Sequence, residues 1–424
     1  MFQTSGDATV NQSGSPLNMA SPPAGRRRSI GLGIDVPILI AAAVLLIFGL
    51  LMVYSASWDY SFQLYGSATR IISRQLMFMA AGVVGAVILA FVDYHYYRRL
   101  IVPAMIGTIG LLVVVLLVNE VRNGAVRTLW GGSIQPSELA KLVTIIYLSV
   151  WLFAKRERLS QLGFGLVPMA AILGVVGGLI FVQPDLSAVV TIFIIGGTLF
   201  FLGGGELRQI GFLLLVALLF GWLIVVLNPT GSERVADYLA GLKDPTNASY
   251  HVQRSFEAFV KGGWIGTGIG NAQTKLTGLP VPPTDSVFAV VGEETGIFGA
   301  VIVIGLYLVI LWRGLSISRR APDGLGALLA AGLCIWLAME AFINMAVMLN
   351  ILPFAGNALP FISAGGSNLM VSLAAMGILL NISRLSEKKM DEDRSTWRAF
   401  VNLRRRDRRR RVSRARRPAA NPES

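Results

Sequence analysis

Residues 36–54, VPILIAAAVLLIFGLLMVY, form an apolar run without a single charged side chain. A helix of about 20 apolar residues is long enough to cross the hydrocarbon core of a bilayer. Nine further apolar runs follow, at roughly 76–92, 100–118, 139–154, 164–182, 187–204, 209–228, 286–312, 324–350 and 368–383. The pattern predicts an all-α polytopic membrane protein with ten transmembrane helices.

The composition supports this class. Of the 424 residues, 54% are hydrophobic and 14% are charged, whereas about a quarter of the residues of a soluble domain are charged. A β-barrel is excluded because the apolar runs are long and do not alternate with polar residues. The single cysteine, Cys334, excludes a disulfide framework and a cysteine-based metal site. The two histidines, His95 and His251, are far apart in the sequence, so a His-rich metal site is not expected.

The sequence divides into three parts. Residues 1–30, rich in Ser, Pro, Gly and Asn, are expected to be a disordered cytoplasmic segment. Residues 31–385 form the membrane domain, with a long extracytoplasmic loop at 229–285 between helices 7 and 8. Residues 386–424 form a basic cytoplasmic tail, and LRRRDRRRRVSRARR (403–417) predicts binding to anionic membrane lipids. Nucleic-acid binding is not expected, since no aromatic platform or fold motif accompanies the arginines.

Lysine and arginine residues crowd the connections on one side of the predicted membrane, which is the cytoplasmic side by the positive-inside rule. These connections contain Arg26–Arg28, Arg98, Arg99, Lys155, Arg156, Arg158, Arg208, Arg313, Arg319 and Arg320. The short loops on the opposite side contain only Arg70, Arg74, Arg122 and Arg127. We therefore expect a multi-pass protein of the cytoplasmic membrane with both termini in the cytoplasm. Within the outer loop, YHVQRSFEAFVKGGW (250–264) predicts a short helix along the membrane surface.

Four predicted helices begin on the outer face with polar residues. Glu138 and Lys141 lie three residues apart in the first turns of the fourth helix, so they can face each other. Asp185, Asp285 and Ser367 are candidate N-caps of the sixth, eighth and tenth helices. Taken singly, each has a structural explanation, but their clustering indicates an external site at membrane depth.

Polar residues also lie inside the predicted spans, namely Glu293, Glu294, Glu340 and Asn344. A carboxylate in a transmembrane segment is costly and is a functional candidate by default. The alternative is that these groups form hydrogen bonds between helices. For Glu293 and Glu294 we expect that they hold helices together or line a polar cavity.

The order of the motifs resembles the SEDS (shape, elongation, division and sporulation) family, which includes FtsW and RodA, over residues 36–385. The matching stretches are VYSAS (53–57), RQL (74–76), GGSIQPSELAKL (131–142), QPDL (183–186), QRSFEAFVKGGWIGTGIGN (253–271), TDSVFAVVGEETG (284–296) and LPFISAGGSNL (359–369). VYSAS is more similar to the FtsW branch. The sequence departs from the family at Pro283, where a histidine is common, and at Ala364, where a tyrosine is common.

The resemblance implies a peptidoglycan glycosyltransferase that polymerises lipid II and acts in cell division. It implies a class B penicillin-binding protein and other division proteins as partners. The family's essential aspartate falls on Asp285, and its Glu-Lys pair falls on Glu138 and Lys141. The motifs also place Arg74, Asp185, Gln253, Ser363, Gly365, Gly366 and Ser367 as candidate substrate-binding residues.

The implied chemistry fits the carboxylates. A sugar hydroxyl is a poor nucleophile, and a positioned carboxylate such as Asp285 can take its proton. The leaving diphosphate needs positive charge, which Lys141, Arg74 or a divalent cation (Mg²⁺ or Mn²⁺) could supply.

Two other functions remain open at this point. The charged residues within the spans would also suit a transporter that flips lipid-linked precursors, although no internal repeat of the kind common in transporters is evident. A scaffold that only recruits division proteins is the second alternative, but it does not explain the carboxylates.

Overall fold

The computed structural model describes residues 33–118, 134–159, 161, 163–227 and 229–414, but not the side chains at 217, 218, 220, 222–230 and beyond 392. The helices are α1 (Val36–Tyr65), α2 (Arg70–Phe91), α3 (Tyr97–Val118), α4 (Pro136–Lys155), α5 (Leu166–Val182), α6 (Leu186–Leu202), α7 (Leu207–Leu227), α8 (Pro229–Lys243), α9 (Tyr250–Gly262), α10 (Val287–Arg320), α11 (Gly324–Met348) and α12 (Gly366–Arg414). The segment 1–30, Arg122, Arg127 and residues 415–424 lie outside the described residues.

The all-α architecture agrees with the apolar runs, since each run lies on one of the helices. Among the described residues, seven helices are long and apolar enough to cross a membrane: α1, α2, α3, α4, α10, α11 and the first part of α12. Three further apolar helices, α5, α6 and the start of α7, are shorter. The chain therefore has the helices of a multi-pass membrane protein.

The core of the molecule lies around α4, α11 and the first part of α12, whose residues are mostly buried up to Glu392. By contrast, α2, α3 and the part of α10 after Gly296 leave many of their apolar side chains exposed, as helices at a lipid boundary do. α2 and α12 pack extensively against each other. Gly377 of α12 lies directly against the backbone of Ala86, where any side chain would collide. Small residues allow such close approach of helices in a membrane.

One end of the bundle is joined by ion pairs. Arg313 of α10 donates two hydrogen bonds to Asp35, at 3.0 and 2.6 Å, and Asp35 also caps α1. At the same end Asp323 caps α11 and accepts hydrogen bonds from Tyr94 and His95. These contacts connect the start of α1 to α10, and the start of α11 to the turn before α3.

At the other end, the segment after α9 packs against a break in α10. Gly296 has a left-handed φ of 67° and interrupts the helix. The amide groups of Thr267 and Gly268 donate to the carbonyl oxygens of Glu293 and Glu294, at 2.9 and 3.1 Å. The helix predicted at 250–264 is confirmed as α9, whereas the helical segment α8 was not predicted. The loop between α9 and α10 thus donates to carbonyl groups that would be bonded within the helix if α10 were continuous.

Candidate functional site

The predicted clustering of helix starts is confirmed, and Gln135, the N-cap residue of α4, connects three of them. Its backbone amide donates to the hydroxyl of Ser367 in α12 at 2.8 Å. Its side-chain amide donates to Asp185, before α6, at 2.8 Å. The starts of α4, α6 and α12 therefore meet in one polar cluster.

Asp185 is the N-cap of α6, as predicted, and accepts a hydrogen bond from the amide of Ala188. It also accepts hydrogen bonds from Ser137 and Ser187, at 2.9 and 3.0 Å. The carboxylate is buried and surrounded by donors. Its contacts are those of a group that holds α4 and α6 together.

Lys141 is buried between two carboxylates. Its ammonium group lies 2.9 Å from Glu138, as the spacing predicted, and it also pairs with Glu340 of α11. Asn368 of α12 donates to the second oxygen of Glu138 at 3.0 Å. Because the side chain of Lys141 is only 1% exposed, this geometry argues against direct contact between Lys141 and a diphosphate. The cluster joins α4, α11 and α12, so Glu340 bonds between helices, which was the structural alternative considered for it.

Asp285 does not cap α10, contrary to the structural alternative considered for it. The N-cap residue is Ser286, whose side chain makes no capping hydrogen bond. Three hydrogen bonds fix the backbone before the helix: the amide of Ala364 donates to Pro283, the hydroxyl of Ser363 to Thr284, and the side chain of Asn344 to Asp285. The half-buried Asp285 therefore lies on a fixed turn, one residue before the N-cap.

The remaining candidate residues of the motif at 359–369 differ in how closely they are packed. Ser367 is the second residue of α12, so it is not the N-cap that the sequence predicted. Its hydroxyl instead accepts a hydrogen bond from the backbone amide of Gln135. The backbone at Gly366 lies against Phe78 of α2, so no larger residue fits there. At Gly365 an added Cβ would make only an ordinary contact, with Asn368 at 3.6 Å.

Two other candidates lie on α2 and α9. Arg74 is half-buried in the first turns of α2. Its neighbour Gln75 donates to the carbonyl oxygen of Ser363 at 3.2 Å, which brings this part of α2 to the turn that carries Asp285. Gln253 of α9 donates to the carbonyl oxygens of Thr246 and Ala248, both at 2.7 Å. These bonds of Gln253 hold the loop before α9.

Glu293 and Glu294 hold the loop between α9 and α10 to α10. Glu293 accepts hydrogen bonds from the amide of Gln273 at 2.8 Å and from the amide and hydroxyl of Thr274. Glu294 pairs with Lys275 at 2.7 Å and accepts from Ser55 of α1 at 2.5 Å. The expectation that these acids hold elements together is therefore confirmed.

No group of three or more His, Cys, Asp or Glu side chains among the described residues is arranged to hold a metal ion. The carboxylates of Asp185 and Glu138 are already bonded to neighbouring donors. No Mg²⁺ or Mn²⁺ site is evident among the residues that the structure describes, and we assign no step to a divalent cation.

Three residues of the site were not selected from the sequence. Gly356 and Asn357 lie in the connection between α11 and α12, and Lys275 lies in the outer loop. Gly356 lies against the carboxylate of Asp285, and the carbonyl oxygen of Asn357 accepts from Asn344 at 2.5 Å. No periodicity marks these positions, although the Gly and Pro content of the connection indicated a turn.

Comparison with known proteins agrees with this architecture. The family model described as "Cell cycle protein", for FtsW, RodA and SpoVE, matches residues 36–388. The chain is 35% identical over 355 residues to the probable peptidoglycan glycosyltransferase FtsW of Geobacter sp. (strain M18), covering 83% of this chain and 97% of that protein. It is 36% identical over 360 residues to stage V sporulation protein E of Bacillus subtilis (strain 168), with coverages of 83% and 97%.

Solved structures show the same fold. A chain of a peptidoglycan synthase complex that coordinates polymerization and crosslinking superposes with a TM-score of 0.67 and 26% identity, covering 83% of this chain and 98% of that one. The rod shape determining protein RodA of Thermus thermophilus superposes with a TM-score of 0.59 and 23% identity, with coverages of 83% and 97%. The chain therefore belongs to the FtsW/RodA/SpoVE family of cell cycle proteins, the SEDS family.

Proposed function

We propose that the chain is a peptidoglycan glycosyltransferase that polymerises lipid II into glycan strands at the outer face of the cytoplasmic membrane. The observation that carries this proposal is the placement of Asp285, which lies half-buried on a turn that three hydrogen bonds fix before the N-cap of α10. Relatives about 35% identical over most of the chain bear the name probable peptidoglycan glycosyltransferase FtsW. Such names support the reaction class.

In the proposed reaction, Asp285 is the general base. It takes the proton of the acceptor sugar's 4-hydroxyl as that oxygen forms a bond to the anomeric carbon of the donor. The bond between that carbon and the undecaprenyl diphosphate breaks, and the diphosphate leaves with the bonding electron pair. A positioned base typically accelerates such a step by about 10²–10⁴-fold. Inversion requires Asp285 and the diphosphate on opposite faces of the donor ring.

The leaving diphosphate needs positive charge but no proton. Since Lys141 is buried between Glu138 and Glu340, we assign this role to Arg74. Arg74 is half-buried at the outer part of α2, beside the residue that bonds to Ser363. Lys141 then acts by holding α4, α11 and α12 in place behind the site.

The proposed topology has ten transmembrane helices, the seven long ones together with α5, α6 and α7. Both termini are cytoplasmic, and α8, α9 and the glycine-rich loop (229–285) lie outside. The distribution of Lys and Arg supports this orientation. It places Asp285 at the level of the outer headgroups, where a lipid-linked sugar is found. Residues 1–30 and 386–424 are then cytoplasmic, and the basic tail binds anionic lipids.

The proposed partner is a class B penicillin-binding protein, a transpeptidase that crosslinks the new strands. One structural relative belongs to a complex that coordinates polymerization and crosslinking. The names of the relatives favour a role in cell division over elongation, with other division proteins as further partners.

The function is tested with purified full-length protein, purified lipid II and the cognate penicillin-binding protein in proteoliposomes. We expect glycan strands, resolved by gel electrophoresis, from the complex. The buried charges of Lys141, Glu138 and Glu340 also suit a path for a polar headgroup, so transbilayer movement of fluorescent lipid II is measured in the same vesicles. Movement without polymerisation would make the protein a transporter.

A further inference from the structure

Asp285 is contacted on its backbone side by Asn344, near the end of α11, and on its carboxylate side by Gly356, in the connection between α11 and α12 (349–365). We propose that Asn344 and Gly356 are positioning residues that hold the Asp285 carboxylate where it meets the acceptor hydroxyl. This inference rests on the proposed role of Asp285 as the base. Neither residue is itself placed in contact with substrate.

Asn344 fixes the backbone of Asp285. Its side-chain amide donates to the carbonyl oxygen of Asp285 at 2.9 Å and to that of Asn357 at 2.5 Å. Asn344 is 1% exposed, near the end of α11, a helix that is mostly buried. One rigid side chain thus joins the turn before α10 to the connection before α12. A buried amide that satisfies two carbonyl groups is costly to replace.

Gly356 leaves just enough space for the carboxylate of Asp285. A Cβ atom built on Gly356 would lie 2.8 Å from Oδ2 of Asp285, closer than real Cβ contacts. The φ angle of Gly356 is outside the left-handed region, so its backbone does not itself require glycine. The missing side chain leaves room for the carboxylate to lie against the connection.

A serine joins this contact to the cluster around Asp185. The hydroxyl of Ser187 lies 3.0 Å from Oδ1 of Asp185 and 3.4 Å from the carbonyl oxygen of Gly356. Its single proton can therefore be donated to either group. Ser187 thus links Gly356 to α6. Asp185 and Asp285 are connected through Ser187 and Gly356.

The expected effect of a methyl group at residue 356 follows from this geometry. The nearest atom is the end of a side chain, which can rotate away at little cost in stability. A displacement of about 1 Å in a reacting group can lower the rate by about 10²-fold. The variant Gly356→Ala should therefore fold normally, but its Asp285 carboxylate should be displaced from the position that the reaction requires.

The test uses the full chain with its penicillin-binding protein in proteoliposomes, and purified lipid II as the substrate. For Gly356→Ala we expect kcat to fall by about 10–100-fold, with KM for lipid II and the melting temperature unchanged. Gly163→Ala is the matched control. Gly163 likewise lies in a connection between helices, has no atom within 4 Å of an added Cβ, and makes no contact with the site residues. It should retain wild-type kcat.

Asn344→Asp is the second variant, since it keeps the shape of the side chain but removes the donor. It should also lower kcat more than it raises KM. Wild-type kcat in Gly356→Ala, or a loss explained by KM or by a lower melting temperature, would overturn the inference. Asp285→Asn, run in parallel, separates the two claims. If Asp285→Asn is inactive and Gly356→Ala is normal, only the positioning role fails. If Asp285→Asn is active, the proposed base fails as well.

Discussion

The ammonium group of Lys275 and the carboxylate of Glu294 lie 2.7 Å apart, beside the break of α10 at Gly296. Lys275 belongs to the outer loop, and Ser55 of α1 donates to the same carboxylate at 2.5 Å. This contact joins the loop, α10 and α1 at the site end of the bundle. The first part of α10, from Val287 to the break at Gly296, is therefore held at one end by the bonds to the turn at Asp285 and at the other by this ion pair.

Removing Lys275 should destabilise the protein strongly. Glu294 is fully buried and Lys275 is 9% exposed, and breaking one side of a buried pair typically costs about 3–5 kcal/mol. Lys275→Met should lower the free energy of unfolding by about that amount, measured by chemical denaturation in detergent micelles. The control is Lys261→Met, because Lys261 pairs with Glu257 and both side chains are 35% exposed. An exposed pair contributes about 0–1 kcal/mol. Equal losses for the two variants would contradict the assignment.

Lys141 and Glu340 should be energetically coupled. Their contact joins α4 to α11, and both side chains are buried. In a double-mutant cycle of Lys141→Met and Glu340→Gln, we expect a coupling of about 1–3 kcal/mol in the free energy of unfolding, since residues of one buried network are not additive. Additive losses would show that the pair does not contribute as one unit. The same cycle for Lys141 and Glu138 should also show coupling.

His251 should make stability depend on pH. Its ring stacks on Phe354 at 4.1 Å, and burial, followed by the nearby charge of Arg234, lowers the pKa of His251 to about 4. An unfolded histidine has a pKa of about 6.5. Between these values the unfolded chain binds a proton that the folded chain refuses. The stabilisation is complete above about pH 6.5 and decreases as the pH falls towards about 4.

The variant His251→Phe keeps an aromatic ring against Phe354 but cannot titrate. Its melting temperature should fall less than that of the wild-type protein between pH 7.5 and pH 5, as followed by tryptophan fluorescence. Identical pH dependence of the two proteins would assign the effect to other groups.

The proposed orientation is tested by labelling single cysteines with a reagent that does not cross the membrane. Cys334 is buried, so it gives little background. Cysteine at exposed Lys243, the last residue of α8, should be labelled in intact cells. Cysteine at exposed Glu157, between α4 and α5, should be labelled only after the cells are opened. The reverse pattern would invert the topology.

Local sequence signals predicted the local structure. The apolar runs located the helices, and the polar residue before an apolar run identified Asp185 as the cap of α6. The same rule was wrong for Asp285 and Ser367. Contacts with the connection between α11 and α12 hold the turn at Pro283 and Thr284, so α10 begins one residue later than expected. Ser367 is the second residue of α12, and its hydroxyl accepts a hydrogen bond from the amide of Gln135.

Contacts between distant segments could not be predicted from one sequence. The spacing of Glu138 and Lys141 on one helix predicted their contact, but Glu340 follows Lys141 by 199 residues. Likewise, nothing in the pattern around Gly356 shows that its missing side chain makes room for Asp285. Such pairs depend on how the helices pack, and helix periodicity carries no information about partners on other helices.

The most direct test of the account is the polymerisation of purified lipid II by Asp285→Asn in complex with its penicillin-binding protein. Asparagine has nearly the same shape as aspartate and caps helices about as well, so the variant should fold, insert and bind its partner as the wild-type protein does. Without a carboxylate it cannot accept the proton of the sugar hydroxyl, and we expect the rate of strand formation to fall by at least about 10²-fold. Polymerisation near the wild-type rate by well-folded Asp285→Asn protein would contradict the account.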